Sequence, residues 1–177
     1  MNLPNKITVA RIVLIPIFMI IFLFDFAYHR EIAAGIFLIA AATDGIDGYI
    51  ARSRNLVTNL GKLLDPLADK LLVTAALLML LQSGIVPAWA VFLILGRDLL
   101  INGMRSIAAA ENIVIAARMT GKIKTCLQIA AIFLLLLGQV WTIYFFYFVV
   151  AFTVYSGIEY MYNMKGVFSN DCSGQKA

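Results

Sequence analysis

Six long apolar runs divide this chain, and its cations sit almost entirely at alternate breaks between them. The runs cover about residues 7–28, 32–52, 61–81, 88–110, 121–137 and 141–162. A helix needs about 20 apolar residues to cross the hydrocarbon of a bilayer. A spanning backbone must also satisfy its own polar groups, which leaves helices for runs of this length. The expected fold is therefore all-α: an integral membrane bundle of six transmembrane helices. If the chain threads back and forth, every Lys and Arg except Arg30 falls on the N-terminal side, counting helix ends. Cationic loops stay in the cytoplasm, so both termini are expected there. The totals agree: 62% of the 177 residues are hydrophobic and 14% charged, against about 45–50% and 25% in a soluble domain. One membrane domain is expected over 1–165, with a polar, disordered tail over 166–177.

Against this apolar background one stretch stands out. Four of the ten acidic residues fall between Asp44 and Asp69. The segment reads Asp44-Gly-Ile-Asp47-Gly48-Tyr-Ile-Ala51-Arg52, then eight residues, then Gly61-Lys-Leu-Leu-Asp65-Pro-Leu-Ala-Asp69. Carboxylates in such surroundings are costly unless paired, hydrated or bound to a cation. On a helix, Asp44, Asp47, Gly48 and Ala51 fall within about 100° of one another, with Arg52 at the edge of that face. Gly61, Asp65 and Asp69 recur every four residues and share a second face. Two helices presenting these faces to each other would gather four carboxylates. Such a site suits a hard divalent cation, Mg²⁺, Mn²⁺ or Ca²⁺. With no His or Cys nearby, zinc is not expected. The simpler role, helix caps or partners for Arg52, Arg54, Lys62 and Lys70, serves one or two aspartates better than four on matched faces.

The pattern D-x-x-D-G-x-x-A-R, eight residues, G-x-x-x-D-x-x-x-D resembles the signature of the CDP-alcohol phosphotransferase family at every specified position and spacer. Three further segments are similar to the bacterial branch whose acceptor is glycerol 3-phosphate. They are Asn2 to Arg11, Gly96-Arg97-Asp98 to Arg105, and Thr120 to Thr125. The resemblance implies a two-metal site, Mg²⁺ or Mn²⁺, held by Asp44, Asp47, Asp65 and Asp69, with Asp69 also the general base. It implies that Gly48, Ala51, Arg52 and Gly61 line the CDP site. The donor would be CDP-diacylglycerol, the acceptor sn-glycerol 3-phosphate, and the products phosphatidylglycerol phosphate and CMP. The family also implies a homodimer; the protein is expected in the cell membrane with no nucleic-acid partner, and the motif lies on the cationic side, so the active site is expected to face the cytoplasm.

An acceptor phosphate calls for cations, and Arg11, Arg105, Arg118, Lys122 and Lys124 are the candidates. Arg11 shares a helix surface with Thr8, and could snorkel to the interface or face a pocket. Asp98 and Arg105, seven apart, share a face. They read either as an intramembrane ion pair or as part of the phosphate site, with Arg97 as a further candidate. Pro16 is expected to kink the first helix, and Asp65-Pro66 to start or break the third. Cys126 is expected in the core, Cys172 in the tail, and His29 in a polar loop without a catalytic role. Two rival functions remain open. One is the same chemistry on another acceptor, making cardiolipin, phosphatidylserine or phosphatidylinositol phosphate. The other is divalent-cation transport through the four aspartates.

Overall fold

The computed structural model describes the backbone of residues 3–53, 59–110, 119–139 and 141–174, and side chains over 8–43, 67–108, 119–139 and 141–163. Among these residues the chain is all-helical. It forms α1 (Leu3–Leu23), α2 (His29–Ser53), α3 (Asn59–Gln82), α4 (Ala88–Ala110), α5 (Met119–Leu136) and α6 (Thr142–Gly174). Two of the described helices are long and apolar enough to cross a membrane, at Met119–Leu136 and Thr142–Asn163; Thr8–Leu23 is a shorter apolar helix.

Two compact units share the chain: Met1–Pro87 with Ile129–Ile143, and Ala88–Gln128 with Tyr144–Ala177. In the first unit α1, α2 and α3 pack on one another. The buried stripe of α1 is Thr8, Arg11, Ile15, Phe18 and Phe22. Its alternating steps of three and four keep one side of a 3.6-residue helix facing inward. Phe18 meets Phe22 and Phe37, ring centroids 6.3 and 6.2 Å apart. On α2, Ala33, Ala34 and Ala40 are fully buried. Small side chains there allow helices to approach closely in lipid, where packing replaces the hydrophobic drive. The opposite side of α1 exposes Val9, Val13, Ile17, Ile20 and Leu23. A helix that buries Thr and Arg while exposing Val, Ile and Leu is patterned for an apolar solvent.

The second unit repeats this inversion. On α6 the buried stripe includes Phe146, Val149, Thr153, Ser156 and Tyr160, while Tyr144, Phe148, Tyr155, Ile158 and Tyr162 are exposed. Trp89 of α4 stacks on Tyr147 of α6 at 5.8 Å, with the rings 6° from parallel. The exposed face of α6 is thus largely aromatic.

Two helix ends show why glycine stands where it does. Gly84 has φ 69°. Its N–H donates to the Leu81 carbonyl, and that of Ile85 to the Leu80 carbonyl, each at 3.0 Å. These are the paired bonds of a Schellman cap, which needs a left-handed residue. Gly138, φ 76°, ends α5 with an N–H bond to Leu135.

Two local expectations change. α3 begins at Asn59 and runs through Asp65 and Pro66 without a break. The preference against α geometry before proline is a bias, and a packed helix in lipid tolerates one lost backbone bond. Cys126 is exposed rather than in the core, because the inward face of that turn belongs to Lys124 and Gln128.

Candidate active site

The acidic motif divides between two packed helices of the first unit. Asp44, Asp47, Gly48, Ala51 and Arg52 lie in the last turns of α2; Gly61, Asp65 and Asp69 lie in the first three turns of α3. Both stretches are helical, so the intervals of three and four hold as register positions. The side chains of 44–66 lie outside the described residues. Among described side chains no three His, Cys, Asp or Glu gather as a metal site; of the four aspartates, only Asp69 belongs to that set. Asp69 is half-buried and engaged by another group. It follows the fully buried Ala68 on the packed side of α3.

Arg11 does not snorkel. Its side chain is 1% exposed, among the largest fully buried groups of the molecule, and it too is engaged. The unit thus buries a permanent cation on the helix that packs against both motif-bearing helices. A buried guanidinium requires anionic or hydrogen-bonding company.

The second unit holds a polar network around Asp98 of α4. The Lys124 ammonium donates to Oδ1 and Oδ2 of Asp98, both at 2.7 Å. Arg97 Nη1 donates to Asp98 Oδ1 at 3.1 Å, and Nη2 to Ser156 Oγ at 3.0 Å. The Lys124 side chain is 3% exposed and that of Asp98 18%. Three helices are tied together in the space of one carboxylate. Asp98 therefore pairs with Lys124 and Arg97, and the expected Asp98–Arg105 pair does not form. Seven residues share a face, yet Arg105 turns instead to α6, where Nε donates to Tyr160 Oη at 3.1 Å.

Of the acceptor-phosphate candidates, then, Lys124 is buried against Asp98, Arg105 is half-buried on Tyr160, and Lys122 is exposed. Arg118 lies outside the described residues. A groove of about 230 Å³ between α4 and α6 is lined by Phe92, Leu100, Ile158 and other apolar groups. It would offer a phosphate only Arg97, whose terminal nitrogens already donate to Asp98 and Ser156.

Ser156, Gly157 and Tyr160 are not singled out by the sequence reading. Thr153, Ser156 and Tyr160 recur at steps of three and four along an aromatic helix, and that polar stripe is the available signal. Gly157 lets the Arg97 stem lie against α6: a Cβ there would sit 2.9 Å from Arg97 Cγ. Gly157→Ala is expected to displace Arg97 from Ser156 and destabilise the protein by about 1–3 kcal/mol. Thermal unfolding in detergent measures this; an unchanged midpoint would show that the stem moves aside freely.

Comparison with known proteins agrees with the motif. The model of the CDP-alcohol phosphatidyltransferase family matches residues 1–155. A Bacillus subtilis protein named CDP-diacylglycerol–glycerol-3-phosphate 3-phosphatidyltransferase is 50% identical, over 90% of this chain and 93% of its own. A protein of the same name from Rickettsia typhi is 42% identical over 78% of each chain. Another, from Salmonella paratyphi A, is 33% identical over 93% of this chain and 96% of its own.

Proposed function

The chain belongs to the CDP-alcohol phosphatidyltransferase family, and from that premise we propose that it transfers the phosphatidyl group of CDP-diacylglycerol to sn-glycerol 3-phosphate. The products are phosphatidylglycerol phosphate and CMP. The observation that carries this is the 50% identity to a relative named for that reaction, spread over nearly the full length of both chains.

The donor set fits divalent ions: four carboxylates in helical register on two packed helices, with no soft ligand among them. Asp44, Asp47, Asp65 and Asp69 would hold them. Such ions, when bound, neutralise a diphosphate and stabilise its leaving phosphate. Asp69 accepts the proton of the acceptor hydroxyl as that oxygen bonds to the phosphorus carrying diacylglycerol. The bond from this phosphorus to the oxygen bridging to the cytidylyl phosphate breaks, and CMP departs with that oxygen. Gly48, Ala51, Arg52 and Gly61 line the nucleotide. Cations among Arg11, Arg105, Arg118, Lys122 and Lys124 bind the acceptor phosphate; most of the catalysis is positioning and charge stabilisation.

The inverted burial of α1 and α6 supports a helix bundle in lipid. The apolar runs and the charge asymmetry between alternate loops support six spans, with both termini in the cytoplasm and the active site on the cytoplasmic side. The membrane domain extends over 1–165, with 166–177 as its tail, and the protein acts as a homodimer.

Purified protein in mixed micelles with Mg²⁺ or Mn²⁺ is expected to release CMP from CDP-diacylglycerol when given glycerol 3-phosphate. Phosphatidylglycerol, serine and inositol phosphate should give none. Turnover with one of those alone would replace the acceptor and leave the family. Metal flux into liposomes lacking CDP-lipid, without turnover, would support transport instead.

A further inference from the structure

We infer that Tyr160 is a positioning residue for the acceptor: it holds the Arg105 guanidinium so that its two terminal nitrogens face the phosphate. This rests on the proposed acceptor and deepens it, by separating two cations that the sequence leaves equivalent.

The separation comes from their partners. Lys124 is 2% exposed and meets both oxygens of Asp98 at 2.7 Å. An ammonium has three hydrogens and no acceptor, so two of the three are committed to the carboxylate that it shares with Arg97. Binding a phosphate at Lys124 would mean breaking that pair in a desolvated setting, which is strongly unfavourable. Arg105 differs. Among the described residues its one hydrogen bond is from Nε to Tyr160 Oη, at 3.1 Å. No carboxylate among them is paired with it, and its side chain is half-buried rather than sealed. The forked terminal nitrogens are the pair that meets two phosphate oxygens at once.

Tyr160 fixes that fork from two directions. Its hydroxyl takes the Nε–H, and its ring lies under the guanidinium, with Cζ 5.3 Å from the centroid. The ring is itself held. Tyr160 is 6% exposed and packs with Ile101 and Met104. Those two residues precede Arg105 by four and one on α4, so one stretch of helix seats both the phenol and the cation it orients. A charged side chain with many rotamers is thereby reduced to few before any ligand arrives, and less freedom is lost on binding.

The test is steady-state kinetics of full-length protein in mixed micelles, varying glycerol 3-phosphate and CDP-diacylglycerol in turn. Tyr160→Phe keeps the ring and its packing and removes only the hydroxyl. It is expected to raise KM for glycerol 3-phosphate about three- to tenfold, as for loss of one orienting hydrogen bond. kcat and the donor KM should stay within about twofold. Arg105→Gln should raise the acceptor KM by more than tenfold. Arg105→Lys, which keeps the charge but not the fork or the Nε contact, should fall between the two. If Arg105→Gln raises the acceptor KM and Tyr160→Phe does not, the positioning role is wrong while Arg105 keeps its place. If neither changes it, Arg105 does not bind the acceptor and both statements fall. A drop in kcat alone, with both KM values unchanged, would make Tyr160 a structural residue and overturn the inference.

Discussion

Asp69→Asn is expected to lower CMP release by at least about 10²–10⁴-fold, the range for loss of a general base, with the protein still folded. Asparagine preserves shape and removes charge, so it can neither take the acceptor's proton nor serve as an anionic ligand. Asp69 lies one turn after Asp65 on a continuous helix, half-buried and engaged. If its work were only to partner a neighbouring cation, the same substitution would shift stability and leave turnover within a few fold. The measurement is initial-rate CMP release beside an unfolding curve in the same detergent. Chelating divalent ions should abolish turnover by the wild-type chain, and added Mg²⁺ or Mn²⁺ should restore it. Activity that survives chelation would contradict the ligand role of all four aspartates.

Much of the proposed site can be argued from the order of its residues, because its logic is local. Asp44, Asp47, Asp65 and Asp69 stand out since carboxylates are costly in apolar helices, and helical spacing sorts them by face. Thr8 and Arg11 are legible for the same reason: three residues apart, they lie on the stripe that continues through Ile15, Phe18 and Phe22. Whether Arg11 reaches for water or turns inward is not a local matter, since a long side chain near a helix end can do either. Its 1% exposure decides that question.

What the residue order hides is long-range. Asp98 and Arg105 share a face of α4, so an intrahelical pair is a reasonable expectation. The choice of partner instead depends on α5 and α6, 26 and 55 residues away in the two hydrogen bonds concerned. No local rule reports which helix will lie alongside. Tyr160 is hidden differently. It belongs to a helix full of Phe and Tyr, where one inward hydroxyl resembles its outward neighbours until burial separates Tyr160 from Tyr155 and Tyr162. Pro66 errs in the other direction: a real local bias at Asp65-Pro66 is overruled by the helix around it.

The Asp98 network yields a second large effect, and its sign is unusual. Asp98 serves two cations, Arg97 at 3.1 Å and Lys124 at 2.7 Å. Removing Lys124 leaves Arg97 and Asp98 as a balanced pair. Lys124→Met, close in length and apolar, should therefore cost about 1–3 kcal/mol, for charge-assisted hydrogen bonds lost without a stranded cation. Asp98→Asn takes the shared carboxylate from both cations in a setting where Lys124 is 3% exposed. That should cost about 3–5 kcal/mol, as when one partner of a buried pair is deleted. The double variant Asp98→Asn/Lys124→Met has one cation left to accommodate rather than two. It is expected to be more stable than Asp98→Asn alone, so that adding a second substitution recovers stability. Unfolding of the four proteins in graded denaturing detergent gives the coupling energy directly. Independent, additive losses would mean that the other contacts of Lys124 suffice once Asp98 is neutral, and that the carboxylate is not the centre on which α4, α5 and α6 are tied.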